Sequence, residues 1–190
     1  MTPSFTKGGF SIPMGKDVSD NHADRVVLRD VQESDLPILF EHQNDPMANR
    51  MAAFPARARE EFMAHWARIL GDDTVIARII LLENVVAGNI VCFEQAGKRL
   101  IGYWIGTQFW GKGIATKALS EFLAEVGVRP LRALVAKHNL GSIRVLEKCG
   151  FIVSGKNMVP YGTEGKVIEE LEFTLVKQIK GVRECPSIKK

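Results

Sequence analysis

Little in this chain speaks for disulfides, membranes or polyanions. Three cysteines occur in 190 residues, Cys92, Cys149 and Cys185, and no two form a C-x-x-C pair. Cys92 and Cys149 sit among apolar neighbours, which suits buried free thiols in a reducing compartment. No metal site is expected. No run approaches the roughly 18 apolar residues of a membrane span, and the N-terminus has no apolar stretch of signal-peptide type. The expected location is the cytoplasm. Charge of one sign is also scarce. Lys and Arg number 25 against 22 Asp and Glu, leaving a net +3. No long basic run with interleaved aromatics occurs, so neither nucleic acid nor a membrane is an expected partner.

What is present suits one domain with a sizeable core, at 46% hydrophobic and 25% charged residues. Residues 1–24 are polar, carry Gly8, Gly9, Pro13 and Gly15, and show no periodicity. They read as a flexible or draped tail. The basic segment 177–190 reads as a second tail, which leaves 25–176 as the domain. Within it, 25–29 is a strand. A helix comes next with Ser34 as its cap and Asn44, Asp45 and Pro46 as its end, and a second helix spans 59–70. Strands at 74–82 and 85–93 are joined at Glu83 and Asn84, a hairpin signal. A strand at 101–106, a helix from 114, a strand at 131–137, a helix at 139–149 and strands at 151–154 and 167–176 complete the order. One crossover helix among meandering strands implies an α+β fold, a mostly antiparallel mixed sheet flanked by helices.

The centre of the chain is the run Ile101-Gly-Tyr-Trp-Ile-Gly-Thr-Gln-Phe-Trp-Gly-Lys-Gly-Ile-Ala-Thr-Lys-Ala-Leu119. An apolar strand here feeds a turn holding Gly111 and Gly113, and an amphipathic helix follows. Such a turn admits a phosphate close to backbone N–H groups at the positive end of the helix dipole. The dinucleotide fingerprint needs a third glycine where Thr116 stands, and no G-x-x-x-x-G-K-[ST] run is present. A tight strand-to-helix turn with no ligand is the plain alternative.

Gln108-Phe-Trp-Gly111-Lys-Gly113 fits Q/R-x-x-G-x-G/A, and Asn139-Leu-Gly-Ser142 to Gly150-Phe151 fits N-x-x-[SA]-x-x-x-[YL]-x-x-x-G-F. Together they resemble the two motifs of the GNAT superfamily of acetyl-CoA-dependent N-acetyltransferases, in the order that fold requires. The wording around Ile101 and Trp110 is most similar to the ribosomal-protein N-terminal acetyltransferases. The resemblance implies a GNAT-type acyl-CoA N-acyltransferase fold with acetyl-CoA as cosubstrate. Trp104, Ile105 and Gly106 would bond the pantetheine arm as an added strand would. Amides of Trp110, Gly111, Lys112, Gly113, Ile114 and Ala115 would receive the pyrophosphate, with Gln108 bracing the loop. Asn139 and Ser142 would meet the pantetheine and thioester region, and a backbone N–H near Ile105 would polarise the thioester carbonyl. The resemblance also leaves a homodimer open.

Acetyl transfer needs a neutral amine, a polarised carbonyl and a proton for the leaving thiolate. Many members of the family supply that proton from a tyrosine in the second motif, where Leu146 stands here. Glu94, at the end of a strand beside the central one, and Tyr161, in a late loop, are the expected catalytic substitutes. Tyr103, His42 and His65 are further candidates. The segment between the first two helices usually borders the acceptor, so Met47, Met51, Phe54, His65 and Trp66 are expected near it. The leading acceptor is a protein N-terminal α-amine. The alternatives are a small-molecule amine (aminoglycoside, polyamine or amino acid), or a non-catalytic CoA-binding module.

Overall fold

The computed structural model describes residues 25–161 and 166–177. In chain order the elements are β1 (Val26–Asp30), α1 (Leu36–Gln43), α2 (Pro46–Ala52), α3 (Arg59–Leu70), β2 (Ile76–Leu82), β3 (Val85–Gln95) and β4 (Lys98–Ile105). Then come α4 (Ile114–Glu125), β5 (Leu131–Ala136), α5 (Leu140–Lys148), β6 (Ile152–Tyr161) and β7 (Lys166–Leu175). The strands form one sheet in the order β1-β2-β3-β4-β5-β7-β6. All neighbours run antiparallel except β4 and β5. This is the α+β mixed sheet expected from the sequence.

Alternation along the strands divides the interior in two. One cluster lies under α4 and α5 and joins Ile101 and Ile105 of β4 to Leu119, Phe122, Val135, Leu146 and Phe173. The other lies under α1 and α3, where Phe62 and Trp66 meet Ile79 and Leu81. Helix α4 buries Ile114, Ala118, Leu119, Phe122 and Leu123 on a single face, the stripe its 3.6-residue period dictates. Glu83 and Asn84 both take positive φ, 52° and 68°. They make the tight two-residue hairpin between β2 and β3 that the sequence signalled.

Three elements differ from the sequence expectation. Helix α1 starts at Leu36 with Asp35, not Ser34, at its N-cap position, because Ser34 lies within a short 3-10 turn at Glu33–Asp35. Asn44-Asp45-Pro46 ends one helix but also begins another. Asp45 Oδ1 accepts from the N–H of Met47 at 2.7 Å, and Pro46 occupies the first helical position, where its missing N–H costs nothing. The same residues that stop α1 thus cap α2. Strand β6 extends to Tyr161 instead of ending near Ser154. Its residues are mostly exposed on both faces of this sheet edge, so the alternation that marks a half-buried strand is missing. The two expected tails, apart from Lys177, and Gly162 and Gly165 of the late loop lie outside the described residues.

Candidate functional site

Strands β4 and β5 pair at a single register point, Leu100 with Arg132. Beyond it they part, and the gap is one end of a cleft of about 420 Å³. The Gly106 N–H donates to Ala87 O on β3 at 2.9 Å. Successive residues of a strand direct their backbone groups to opposite sides, so Ile105 and Tyr103 direct theirs into the gap. The Ile105 carbonyl is already taken by the indole N–H of Trp110 at 2.8 Å. Gly88 on β3 lets the strands approach this closely, since a Cβ there would lie 2.0 Å from Trp104 O.

The glycine turn borders the same cleft. Gly111 and Gly113 have φ of 77° and 75°, a region glycine enters without the penalty of a Cβ. A Cβ at Gly111 would meet nothing within 4 Å, so the turn faces open space. No described residue accepts from the N–H groups of residues 111–116. Unshared donors at the start of a twelve-residue helix attract an anion. The Trp110 N–H, by contrast, donates to Thr107 O at 3.1 Å and is spent within the turn. Opposite, α5 adds Arg144 and Lys148 to the lining. They are one helical turn apart, and neither has an ion-pair partner among the described residues.

Asn139 caps α5 by accepting the Ser142 N–H at 3.0 Å, and both residues line the cleft. The Tyr103 hydroxyl donates to the Ser142 carbonyl at 3.3 Å, tying β4 to α5 across the gap. Burial pushes the Tyr103 phenol up to about 12. Leu146, at the position where the family often carries tyrosine, is fully buried in the core. Gln108 does not line the cleft. Its amide nitrogen lies 3.2 Å from His42 Nε2, which braces the loop against α1. Desolvation holds the His42 imidazole below its ordinary value. Its Nε2 then accepts from Gln108, and its buried Nδ1 has no partner. Lys112 lies 5.7 Å over the Phe109 ring, beside the cleft and outside its lining.

Residues 25–152 match the acetyltransferase (GNAT) domain family. This chain belongs to the GNAT acetyltransferases. It is similar to an uncharacterized N-acetyltransferase, p20, of Bacillus licheniformis, with 24% identity over 83% of this chain and 96% of that one. It is also similar to YdaF of Bacillus subtilis, whose name carries a provisional assignment as a ribosomal N-acetyltransferase; identity is 28% over 63% of this chain and 69% of that one. Among solved structures, spermidine N-acetyltransferase from Vibrio cholerae, in complex with CoA and spermine, shares the fold. Its TM-score is 0.69 at 15% identity, covering 80% of this chain and 95% of that one.

The acetyltransferase brings Trp104, Ile105, Trp110, Gly111, Gly113, Ile114, Ala115, Asn139 and Ser142 together in the cleft lining. It does not bring Glu94 there. Because β3 and β4 run antiparallel, Glu94 pairs with Arg99 near the start of β4, whereas Gly88 pairs with Ile105 at the cleft. Six residues of strand, roughly 20 Å, separate those two points. Tyr161 ends β6 opposite Lys166 and does not line the cleft. Of the expected acceptor-side residues, Met51 lines the cleft. Phe54 packs edge-on against Trp104, ring centres 6.3 Å apart, and Trp66 is core. Met47 and His65 are outside the lining. Sequence reasoning missed Arg144, Lys148 and Thr116. The four-residue spacing of the two cations, placed after a capping asparagine, was the available signal.

Proposed function

We propose that this acetyltransferase uses acetyl-CoA and transfers its acetyl group to a primary amine, with a protein N-terminal α-amine as the leading acceptor. The observation that carries the reading is the unshared run of N–H groups at residues 111–116, beside the parted ends of β4 and β5. An elongated ligand with a diphosphate at one end and amide groups along its arm fits both features. The N–H groups of Gly111, Lys112, Gly113, Ile114, Ala115 and Thr116 receive the pyrophosphate, and Arg144 and Lys148 face the phosphates from α5. The arm runs along Trp104, Ile105 and Gly106, with the Tyr103 and Ile105 backbone as its partners and Asn139 and Ser142 beside it. The Ile105 N–H polarises the thioester carbonyl. Gln108 acts through His42, and Lys112 through its charge alone. Acetyl-CoA supplies an activated acyl group, and the chain's part is to orient it.

The name of YdaF favours the N-terminal amine, and the fold shared with the spermidine enzyme favours a small-molecule amine as second reading. The domain is assigned to residues 25–176 and its place of action to the cytoplasm, where Cys92 and Cys149 stay reduced as the buried thiols they are. Thermal shift with CoA, ATP and NAD tests the cofactor. Stabilisation by CoA alone is expected, and no response to CoA refutes the reading. Thiol release from acetyl-CoA with a peptide bearing a free N-terminus, spermidine and kanamycin then ranks the acceptors. CoA binding without turnover on any of them would point to a binding module.

A further inference from the structure

One carboxylate joins two walls of the cleft. Most of the described lining belongs to β4, to the turn leading into α4, and to α5 with its cap, the parts assigned above to the cofactor. What is left for the amine is Ala48, Met51 and Ala52, all on α2. Helix α2 begins at Asp45, whose Oδ1 accepts from the N–H groups of Met47 at 2.7 Å and Ala48 at 3.4 Å. A cap needs a single acceptor oxygen, which is why Ser and Asn serve as well as Asp. The second oxygen is spent elsewhere. Asp45 Oδ2 accepts from the Thr107 hydroxyl at 2.7 Å. Thr107 opens the 3-10 turn Thr107–Phe109, which connects the end of β4 to the glycine turn. The bond is charge-assisted, and it is the first cause holding the Asp45 carboxyl below its ordinary range.

That bond belongs to a series in which the corner between α1 and α2 seats the chain from Trp104 to Phe109. The Trp104 indole N–H donates to the His42 carbonyl at 2.9 Å. The Gln108 amide meets His42 Nε2 at 3.2 Å, and the Phe109 ring stands edge-on to His42 with centres 6.1 Å apart. The fit is close at Gly106, where a Cβ would lie 2.8 Å from His42 Nε2. These contacts hold the end of β4 and the turn to α1, and the Asp45–Thr107 bond carries the seat on to α2. The far end of α2 is held as well. The ring of His138, just past β5, donates to the Arg50 carbonyl at 2.9 Å, and Phe54 packs on Trp104. Helix α2 is thus fixed at both ends to the strands that part at the cleft, with Asp45 holding its first turn.

We propose that Asp45 is a positioning residue for acetyl transfer, holding the α2 wall that borders the amine against the strand and turn that carry the thioester, with the Thr107 hydroxyl as its partner. The proposal rests on the acetyl-transfer reading above. Attack needs the nitrogen about 3–3.5 Å from the thioester carbon, and a misplacement of about 1 Å can cost about 100-fold in rate. A side chain that locks one wall to the other acts on that distance. Asp45 and Thr107 both lie outside the cleft lining, so they touch neither substrate. Their bond therefore acts on kcat, while the hold on CoA stays with the N–H groups of residues 111–116.

The test compares Thr107→Val, which keeps the shape and removes the hydroxyl, with Thr107→Ser, which keeps the hydroxyl. Both are assayed by thiol release from acetyl-CoA with the best amine of the panel, alongside thermal melts and calorimetric titration with CoA. Thr107→Val is expected to lose about 10-fold in kcat, with CoA affinity within about threefold of wild type and Tm about 2–4 °C lower. Thr107→Ser should keep kcat within about threefold of wild type. A folded Thr107→Val enzyme with kcat within about threefold of wild type overturns the proposal and leaves acetyl transfer standing. A loss in kcat matched by an equal loss in CoA affinity also overturns it, because the bond would then serve the cofactor loop alone. Equal losses in the Val and Ser variants overturn it as well, since the hydroxyl would not be the cause. Should Thr107→Val not fold, Asp45→Ser decides, because serine keeps the cap acceptor and lacks the second oxygen. A loss of about 10-fold in kcat with CoA affinity unchanged supports the role, and an unchanged kcat overturns it. If wild type turns over no amine, both readings fall.

Discussion

Gly111 and Gly97 share a backbone conformation and differ in what lies before them. Their φ values are 77° and 71°, and a Cβ built on either meets no atom within 4 Å. Alanine at either position therefore costs only the left-handed penalty, about 1–2 kcal/mol. In a chain of this size 1 kcal/mol moves Tm by about 2–4 °C, so each variant should melt about 2–8 °C below wild type. The two should part on ligand binding. Gly97 lies in the turn between β3 and β4, at the end of the sheet away from the cleft. The methyl of Gly111→Ala stands where a pyrophosphate must approach the N–H groups of the turn. One charge-assisted hydrogen bond is worth about 1.5–3 kcal/mol, so losing one weakens CoA binding by about 10- to 150-fold. Calorimetric titration with CoA, alongside thermal melts, measures both quantities on the same samples. Equal losses in Tm with equal CoA affinities would refute the reasoning, because the space before Gly111 would then have no ligand in it.

Tyr103 offers a second check. A phenol pushed up to about 12 by burial is a weaker acid than a thiol near 8.5, so protonating the leaving thiolate from it runs uphill by about 5 kcal/mol. Tyr103→Phe should lose about 1 kcal/mol of stability with its hydrogen bond to Ser142 and keep acetyl transfer within about fivefold; a loss of about 100-fold or more would make the hydroxyl catalytic. A third concerns acid. Asp35 accepts from both guanidinium nitrogens of Arg29 at 2.7 Å, and that contact holds its carboxyl below the ordinary range. A group lowered on folding contributes stability that is complete above the unfolded value, about 3.9, and is lost as pH falls toward the folded one. Urea melts should show wild type losing its lead over Asp35→Asn between pH 7 and pH 3, and a constant lead would contradict the assignment.

Local chemistry was legible in the sequence, and placement across the sheet was not. Gly111 and Gly113 took the positive φ that their turn required, and Asn139 capped its helix, because both depend on residues a few positions away. Helix α2 was hidden because Asp45-Pro46 carries two meanings, a stop for the helix before it and a cap with a first-turn proline for the helix after it. Glu94 was placed at the wrong end of β4 in the reading of strand ends. A hairpin reverses direction, so the last residues of β3 lie beside the first of β4 and far from Ile105.

The three tryptophans divide in a way that makes the protein its own optical reporter. Trp66 is 4% exposed in the core beneath α1 and α3 and supplies a constant background. Trp104 and Trp110 both line the cleft, and Trp110 is 37% exposed while its indole N–H is held on the Ile105 carbonyl. A molecule entering between β4 and β5 replaces water around these two rings and leaves the third untouched. Emission from the unlabelled chain therefore tracks occupancy of the cleft, with Trp104 tied to α1 through its indole N–H and Trp110 standing at the glycine turn.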